Sequence, residues 1–217
     1  MNIRILLADD HRIMRHGLRS LLEKEPGFEV VAEADNGRSA VKLTQKLAPD
    51  VVIMDIAMQD LNGIEATRRI VSETPEVKVL VLSIHSETQI VVEVLRAGAS
   101  AYLLKDCEFE ELVRAIRAAV KNRTYLSPEI SHILVENIIR NPPPTTASVA
   151  SVLTAREREV LQLLSEGKTT KQTASTLCLS IKTIDTHRRQ IMEKLNIHNL
   201  ADLIKYAIRK GITPLGP

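Results

Sequence analysis

Tryptophan is absent from these 217 residues, and aromatic side chains of all kinds make up only 2%. Any core built from this chain is therefore aliphatic. Cysteine is nearly as scarce: Cys107 and Cys178 lie far apart and fit no metal-ligand or redox spacing, so two reduced thiols in a cytoplasmic protein are expected. No apolar run approaches the ~18 residues of a membrane span, which excludes a membrane partner of that kind. The first stretch, Met1-Asn2-Ile3-Arg4 onward, meets acid at Asp9-Asp10 too early to read as a secretion signal.

What is present is ordinary for a soluble globular protein, with 44% hydrophobic and 26% charged residues. The length suits one large domain or two small ones, each able to bury a core. The formal net charge of +2 hides an asymmetry. Residues 151–217 hold 11 Lys and Arg against 6 Asp and Glu, a net of +5, and residues 1–150 hold 18 against 21, a net of −3. A small basic module behind a mildly acidic one points to a polyanion as the C-terminal partner.

The first half alternates strand and helix patterns. Strands are expected at 3–8, 28–34, 51–55, 77–83 and 101–104, and amphipathic helices at 12–22, 37–47, 62–72, 86–97 and 110–121. Asn62 with Glu65 and Ser86 with Gln89 read as helix starts. Five strands alternating with five helices predict parallel βαβ units, an α/β doubly wound five-stranded parallel sheet of flavodoxin-like order 2-1-3-4-5. This first domain is placed at 1–122. Residues 123–150 read as a linker, with one helix at 128–140 and a Pro-rich stretch after it. Residues 151–217 read as a small all-α domain: helices at 155–164, 169–177, 181–195 and 200–209, with Thr154 and Glu157 as a capping box and Ser180 as a cap.

In such a sheet ligands bind at the carboxyl ends of the strands. Asp9-Asp10, Asp55, Ser83 and Lys105 all fall there, and the order 2-1-3-4-5 puts their four strands side by side. Asp55 itself can be a nucleophile, a metal ligand or both. Three carboxylates repel one another unless a cation or a proton sits among them, and Mg²⁺ suits one or two carboxylates with waters and phosphate oxygens. Lys105 offers a point charge to a phosphate oxygen and Ser83 a hydroxyl donor. The set can hold a phosphoryl group in line with an Asp nucleophile. Each residue alone is more often a cap, a turn residue or a solvated charge; the constellation is what carries the reading.

Three motifs carry a family resemblance: Leu7-Ala8-Asp9-Asp10-His11, Ile53 through Met58 around Asp55, and Gly98 through Asp106 around Tyr102 and Lys105. Residues 1–122 resemble the receiver domain of two-component response regulators, and with the C-terminal part the chain resembles the NarL/FixJ subfamily over nearly its whole length. The resemblance implies that Asp55 accepts phosphate from the phosphohistidine of a sensor histidine kinase. It implies Mg²⁺ held by Asp10, Asp55 and the Ala57 carbonyl, with Asp9 assisting through water. Ser83 and Tyr102 become a switch pair, the hydroxyl moving onto the phosphate and the ring turning inward, and Lys105 bridges to the phosphoryl oxygen. Gln59 stands where the family usually has Pro. The rival enzyme reading, a haloacid dehalogenase-like phosphatase, needs a second carboxylate two residues after the nucleophile as general acid and base. Position 57 is Ala, so the acyl phosphate is expected to persist as a signal, with no activity beyond phosphorylation and dephosphorylation of Asp55 itself.

In the basic module, a helix over 181–195 puts Ile184, Ile191 and Leu195 inward and Lys182, Thr186, Arg189 and Glu193 outward, with Asp185 and Gln190 beside them. That helix is shaped to enter a major groove by its N-terminal half. Arg189 suits guanine, Thr186 a thymine methyl and Asp185 cytosine, while Lys171, Lys182, Thr183, Arg188 and Lys194 suit phosphates. His187, at the inner edge, is expected to pack. The stretch Leu153 through Leu161, then Thr183 through His187 and Lys194-Leu195, resembles the LuxR-type helix-turn-helix, which implies promoter DNA bound as a dimer. Asp185 and Thr173 depart from commoner family residues. The reading is a DNA-binding transcriptional regulator controlled by phosphorylation. A relay or adaptor that no longer binds DNA is the alternative, and the intact basic outer face argues against it.

Overall fold

The computed structural model describes residues 2–136 and 152–213, which fall in two compact units, Met1–Pro143 and Pro144–Pro217. In the first unit the elements alternate: β1 (Ile3–Ala8), α1 (Arg12–Leu22), β2 (Phe28–Ala34), α2 (Gly37–Leu47), β3 (Val51–Met54) and α3 (Gly63–Glu73). Next come β4 (Lys78–Ser83), α4 (Thr88–Arg96), β5 (Ala101–Leu104), α5 (Phe109–Ala119), β6 (Tyr125–Leu126) and α6 (Pro128–Val135). The strands form one parallel sheet in the order β2-β1-β3-β4-β5-β6.

Parallel pairing buries both faces, and β3 shows why its sequence is a continuous apolar run: Val51, Val52, Ile53 and Met54 are all buried. Alternate residues serve opposite cores. Leu6, Val52, Met54, Val79, Val81 and Tyr102 pack with residues of α2, α3, α4 and α6. Ile5, Leu7, Val51, Ile53, Leu80 and Leu103 pack with residues of α1 and α5. At α3 the Asn62 side chain accepts from the Glu65 N–H at 2.9 Å, the cap expected from the sequence. Ser86 does not cap α4, which starts two residues later behind Glu87 with no side-chain cap.

Among the described residues the sheet has six strands, not five. The sixth is two residues long, too short to show any periodicity, and it pairs with β5 through Ala101–Tyr125 and Tyr102–Leu126. α6 also belongs to this unit: Ile130 and Leu134 are buried in the same core as Ile90 and Val94 of α4. The first unit therefore runs on past residue 122 through what reads as linker in sequence. The remainder of that helix and the Pro-rich stretch lie outside the described residues.

The second unit is all helix among the described residues: α7 (Ala155–Ser165), α8 (Thr170–Thr176), α9 (Ile181–Leu195) and α10 (Leu200–Arg209). Thr154 and Glu157 form the reciprocal capping box of α7, and Ser180 caps α9 by accepting from the Thr183 N–H at 3.1 Å. Between α8 and α9 the chain turns sharply at Cys178, whose φ of 54° is left-handed, so that Leu177 and Leu179 on either side both reach the core. Both cysteines are free thiols.

One core residue here is polar without compensation. Thr173 of α8 is 0% exposed, and its hydroxyl makes no hydrogen bond. A buried hydroxyl with no partner costs about 1–3 kcal/mol. Thr173→Val keeps the shape and removes the hydroxyl, so it should raise the stability of the second unit by about 1 kcal/mol. Urea unfolding followed by circular dichroism checks this; an unchanged or lower midpoint would mean the hydroxyl has a partner in solution.

Candidate functional site

The strand register brings the chemistry to one edge. Ala8 pairs with Met54, Met54 with Val81, and Ser83 with Leu104, so the residues just past those strands emerge side by side. The backbone ladder continues one step beyond: the Asp55 N–H donates to the Ala8 carbonyl at 2.7 Å and the Lys105 N–H to the Ser83 carbonyl at 2.8 Å.

At this edge Lys105 joins two of the acids. Its Nζ lies 2.7 Å from Asp9 Oδ2 and 2.9 Å from Asp55 Oδ2. Burial works against the ammonium, but Asp55 and Asp9 outweigh it and hold the Lys105 pKa above the ordinary lysine value. Asp55 is 3% exposed, and burial pushes its carboxyl up, with Asp9 adding to the rise and Lys105 opposing it. Burial likewise raises Asp10, against the His11 ring and with Asp9. The carboxylates crowd one another and one ammonium does not neutralise them all.

Ligand atoms of Asp9, Asp10, His11 and Asp55 lie within 4.8 Å of one another, enough to hold a single ion. Asp10 Oδ1 is buried and makes no hydrogen bond, although the His11 Nδ1 is 3.0 Å away. A buried carboxylate oxygen that makes no hydrogen bond and is crowded by two other acids is what a hard, oxygen-seeking dication would occupy, so the donor set fits Mg²⁺. The Ala57 N–H favours the charged form of Asp55.

Ser83 and Tyr102 meet at the same edge. Both are 0% exposed. Burial drives the Tyr102 hydroxyl well above the ordinary tyrosine range, with the Ser83 hydroxyl beside it opposing that rise. The Tyr102 hydroxyl donates to the His85 carbonyl at 2.7 Å, and Ser83 Oγ accepts from the His85 N–H at 3.1 Å. The backbone of His85, between β4 and α4, therefore sits under both hydroxyls. Nothing in its residue type signals that, because the contact is made by its main chain.

On α9, Ile184 and Ile191 are buried while Lys182, Asp185, Arg189, Gln190 and Glu193 are exposed, the two faces expected from the sequence. Asp185, Arg188 and Arg189 line one open cleft with Met192, Glu193, Ile197 and His198. Lys171 is exposed on α8. The Thr186 hydroxyl donates to the Lys182 carbonyl at 2.9 Å, and Thr183 Oγ1 lies 2.7 Å from Ser180 Oγ in the cap. His187 is partly buried, and its Nδ1 makes no hydrogen bond. Lys194 has a partner that sequence spacing did not reveal. Its Nζ donates at 2.7 Å to Glu157 Oε2, across 37 residues, and Glu157 is 2% exposed. The pair ties α9 to the start of α7.

Comparison with known proteins matches each unit separately. Residues 5–117 match the response regulator receiver domain, and residues 151–207 match the bacterial regulatory proteins of the luxR family. The chain is 36% identical to the transcriptional regulatory protein DegU of Brevibacillus brevis over 222 residues, covering 96% of this chain and 94% of that one. A structure of two RcsB dimers bound to two parallel DNAs matches with a TM-score of 0.61 at 28% identity, covering 97% of this chain and 99% of that one. RcsB from Salmonella enterica serovar Typhimurium, bound to promoter rprA in the presence of the phosphomimetic BeF₃⁻, matches with a TM-score of 0.61 at 26% identity, covering 95% and 98%.

Proposed function

Because this chain belongs to the DNA-binding response regulators, a receiver domain with a LuxR-family regulatory domain, we propose that phosphorylation of Asp55 by a sensor histidine kinase controls its dimerisation and its binding to promoter DNA. The observation that carries this reading is the convergence of Asp9, Asp10 and Asp55 on one buried edge, with Lys105 2.9 Å from the Asp55 carboxylate.

The chemistry is a single displacement. An Asp55 carboxylate oxygen forms the new P–O bond, the P–N bond of a phosphohistidine breaks, and the imidazole leaves with the electron pair. Asp10, Asp55 and the Ala57 carbonyl would hold Mg²⁺, with Asp9 assisting through water. When bound, the ion supplies the positive charge that lets carboxylates and phosphoryl oxygens share the crevice. Lys105, already held between Asp9 and Asp55, stays to bridge to a phosphoryl oxygen. Ser83 donates its hydroxyl to the phosphoryl group. The inward Tyr102 ring, held on the His85 carbonyl, is the arrangement we assign to the signalling state. Phosphorylation then favours one of two receiver states, and that state promotes dimerisation of the chain. The location is cytoplasmic, in keeping with a DNA target and with described residues among which no helix is long and apolar enough to cross a membrane.

Solution mass by light scattering tests the first half. With Mg²⁺ and beryllofluoride the wild type should shift from monomer to dimer, and Asp55→Asn should not. A shift in the variant as well, or none in the wild type, would count against Asp55-driven dimerisation.

The second half assigns α9 to the major groove, with Arg189, Thr186 and Asp185 at bases and Lys171, Lys182, Thr183 and Arg188 at phosphates. Lys194 contributes chiefly through Glu157. Arg189→Ala should cost about 1–3 kcal/mol at its own base pair and change sequence preference. Lys182→Ala should weaken every duplex alike and lower the salt slope by about 1. Titrations over a duplex panel at several salt concentrations separate the two; identical behaviour of both variants on every sequence would remove the base-reading role from Arg189.

A further inference from the structure

Arg15 of α1 reaches back to the acidic edge without entering it. Its Nη1 donates to the Asp9 main-chain carbonyl at 2.6 Å, and its Nε lies 3.4 Å from Glu33 Oε2 on β2. Glu33 is in turn held by Arg19, Nη1 to Oε1 at 2.9 Å, and the two guanidinium groups, Arg19 foremost, keep its carboxyl below the usual range. The Arg15 side chain is only 13% exposed, so this is a built contact and not a charge resting in solvent.

The contact falls on the peptide that joins Asp9 to Asp10. Asp9 is gripped on every other side: its N–H donates to the Ala34 carbonyl at 3.1 Å, Oδ1 accepts from the His11 N–H at 2.7 Å, and Oδ2 accepts from Lys105 at 2.7 Å. Asp10 is held more loosely: its buried Oδ1 makes no hydrogen bond and has the ring of its neighbour His11 3.0 Å away. The direction of the Asp10 carboxylate is therefore set by its backbone, and Arg15 is the side chain that holds the carbonyl of that peptide. Glu33 keeps the guanidinium turned away from the acids, where it would otherwise compete with a dication for them.

We infer that Arg15 is a positioning residue for the cation site, aiming Asp10 by clamping the Asp9–Asp10 peptide. This rests on the reading of that edge as a Mg²⁺ site. The sign of the effect separates positioning from charge. Arg15 is a cation near three acids, so by Coulomb's law alone its removal should tighten Mg²⁺ binding. If it positions, its removal should weaken binding, as loss of groups that orient metal ligands does, by about tenfold or more.

Mg²⁺ is titrated into the full-length protein by isothermal titration calorimetry. Arg15→Met should raise the dissociation constant about tenfold, and Arg15→Lys, which keeps the charge and can still donate but loses the planar fork, should fall between it and the wild type. Arg19→Met, which removes the other partner of Glu33 but not the clamp, should bind as the wild type does. Should Arg15→Met fail to fold, the lysine variant alone still decides by its direction. Binding by Arg15 variants that is unchanged or tighter overturns the inference while leaving the metal reading intact. Absence of Mg²⁺ binding in the wild type overturns the metal reading and this inference with it.

Discussion

Asp55→Asn should abolish Mg²⁺-dependent labelling by a phosphohistidine donor while leaving the fold intact. The amide has nearly the carboxylate's shape, so β3 and the Asp55 N–H bond to Ala8 need not change. Its oxygen, however, is neutral and a poor nucleophile toward phosphorus, and one of the three acids that would hold the ion is gone. Radiolabel retained at wild-type level would mean that another residue is the acceptor. Stability supplies a second readout, measured in EDTA. Burial raises the folded-state pKa of Asp55, so the native protein binds the proton more tightly than the unfolded chain does. Wild-type stability from this group is thus fullest below the ordinary carboxylate range and is lost as pH rises through the raised value. Asparagine does not titrate, so the variant's melting temperature should gain on the wild type as pH rises from the ordinary carboxylate range through the raised value. A gap that narrows over that range would contradict the sign.

Gly63→Ala should damage the acceptor site from outside it. Gly63 is the first residue of α3, and its N–H donates to the Ile56 carbonyl at 2.9 Å. A Cβ there would run into the Asp55 carbonyl oxygen, and would lie 2.8 Å from the Asp55 carbonyl carbon and 2.9 Å from Ile56 Cα. These are backbone atoms with no rotamer to escape into, so the Asp55–Ile56 segment or the whole of α3 has to move. Overpacking of this kind costs about 1–3 kcal/mol. Because the displaced segment carries the acceptor, the rate of labelling should fall about tenfold or more, a 1 Å misplacement being enough for that. Gly17→Ala is the matched control: nothing lies within 4 Å of its would-be Cβ, and Ala in a helix is favoured over Gly by roughly 0.5–1 kcal/mol. Equal labelling rates and equal unfolding midpoints for the two variants would show that the backbone gives way at no cost.

The scaffold was legible because both of its halves repeat a simple pattern. Apolar runs such as Val51–Met54 alternate with amphipathic helices, and that alternation dictates a parallel sheet with its reactive edge at the strand ends. Asp9, Asp10, Asp55, Ser83 and Lys105 were visible as a set because position alone, at or just past the end of each strand, brings them together. What escaped were contacts that carry no local signature. Arg15 reads as a solvated arginine on an amphipathic helix until its reach to the Asp9 carbonyl is seen. His85 acts through main-chain atoms. The Lys194–Glu157 pair escaped as well, because a long-range ion pair leaves no periodicity behind. β6 is two residues long, and at that length only pairing with β5 distinguishes a strand from a turn.

That short strand fixes where the receiver can be separated from the rest of the chain. β6 covers the outer edge of β5, the Ser127 N–H donates to the Tyr102 carbonyl at 3.1 Å, and α6 lays Ile130 and Leu134 into the core beside α4. A fragment cut after the last helix of the five-stranded pattern would bare a row of backbone donors and acceptors along β5, together with an apolar strip on α4. Bare sheet edges recruit other chains. In exchanging output modules between proteins of this design, the seam therefore belongs beyond α6: a graft at residue 122 would yield a sticky half, and one made after residue 136 a sealed one.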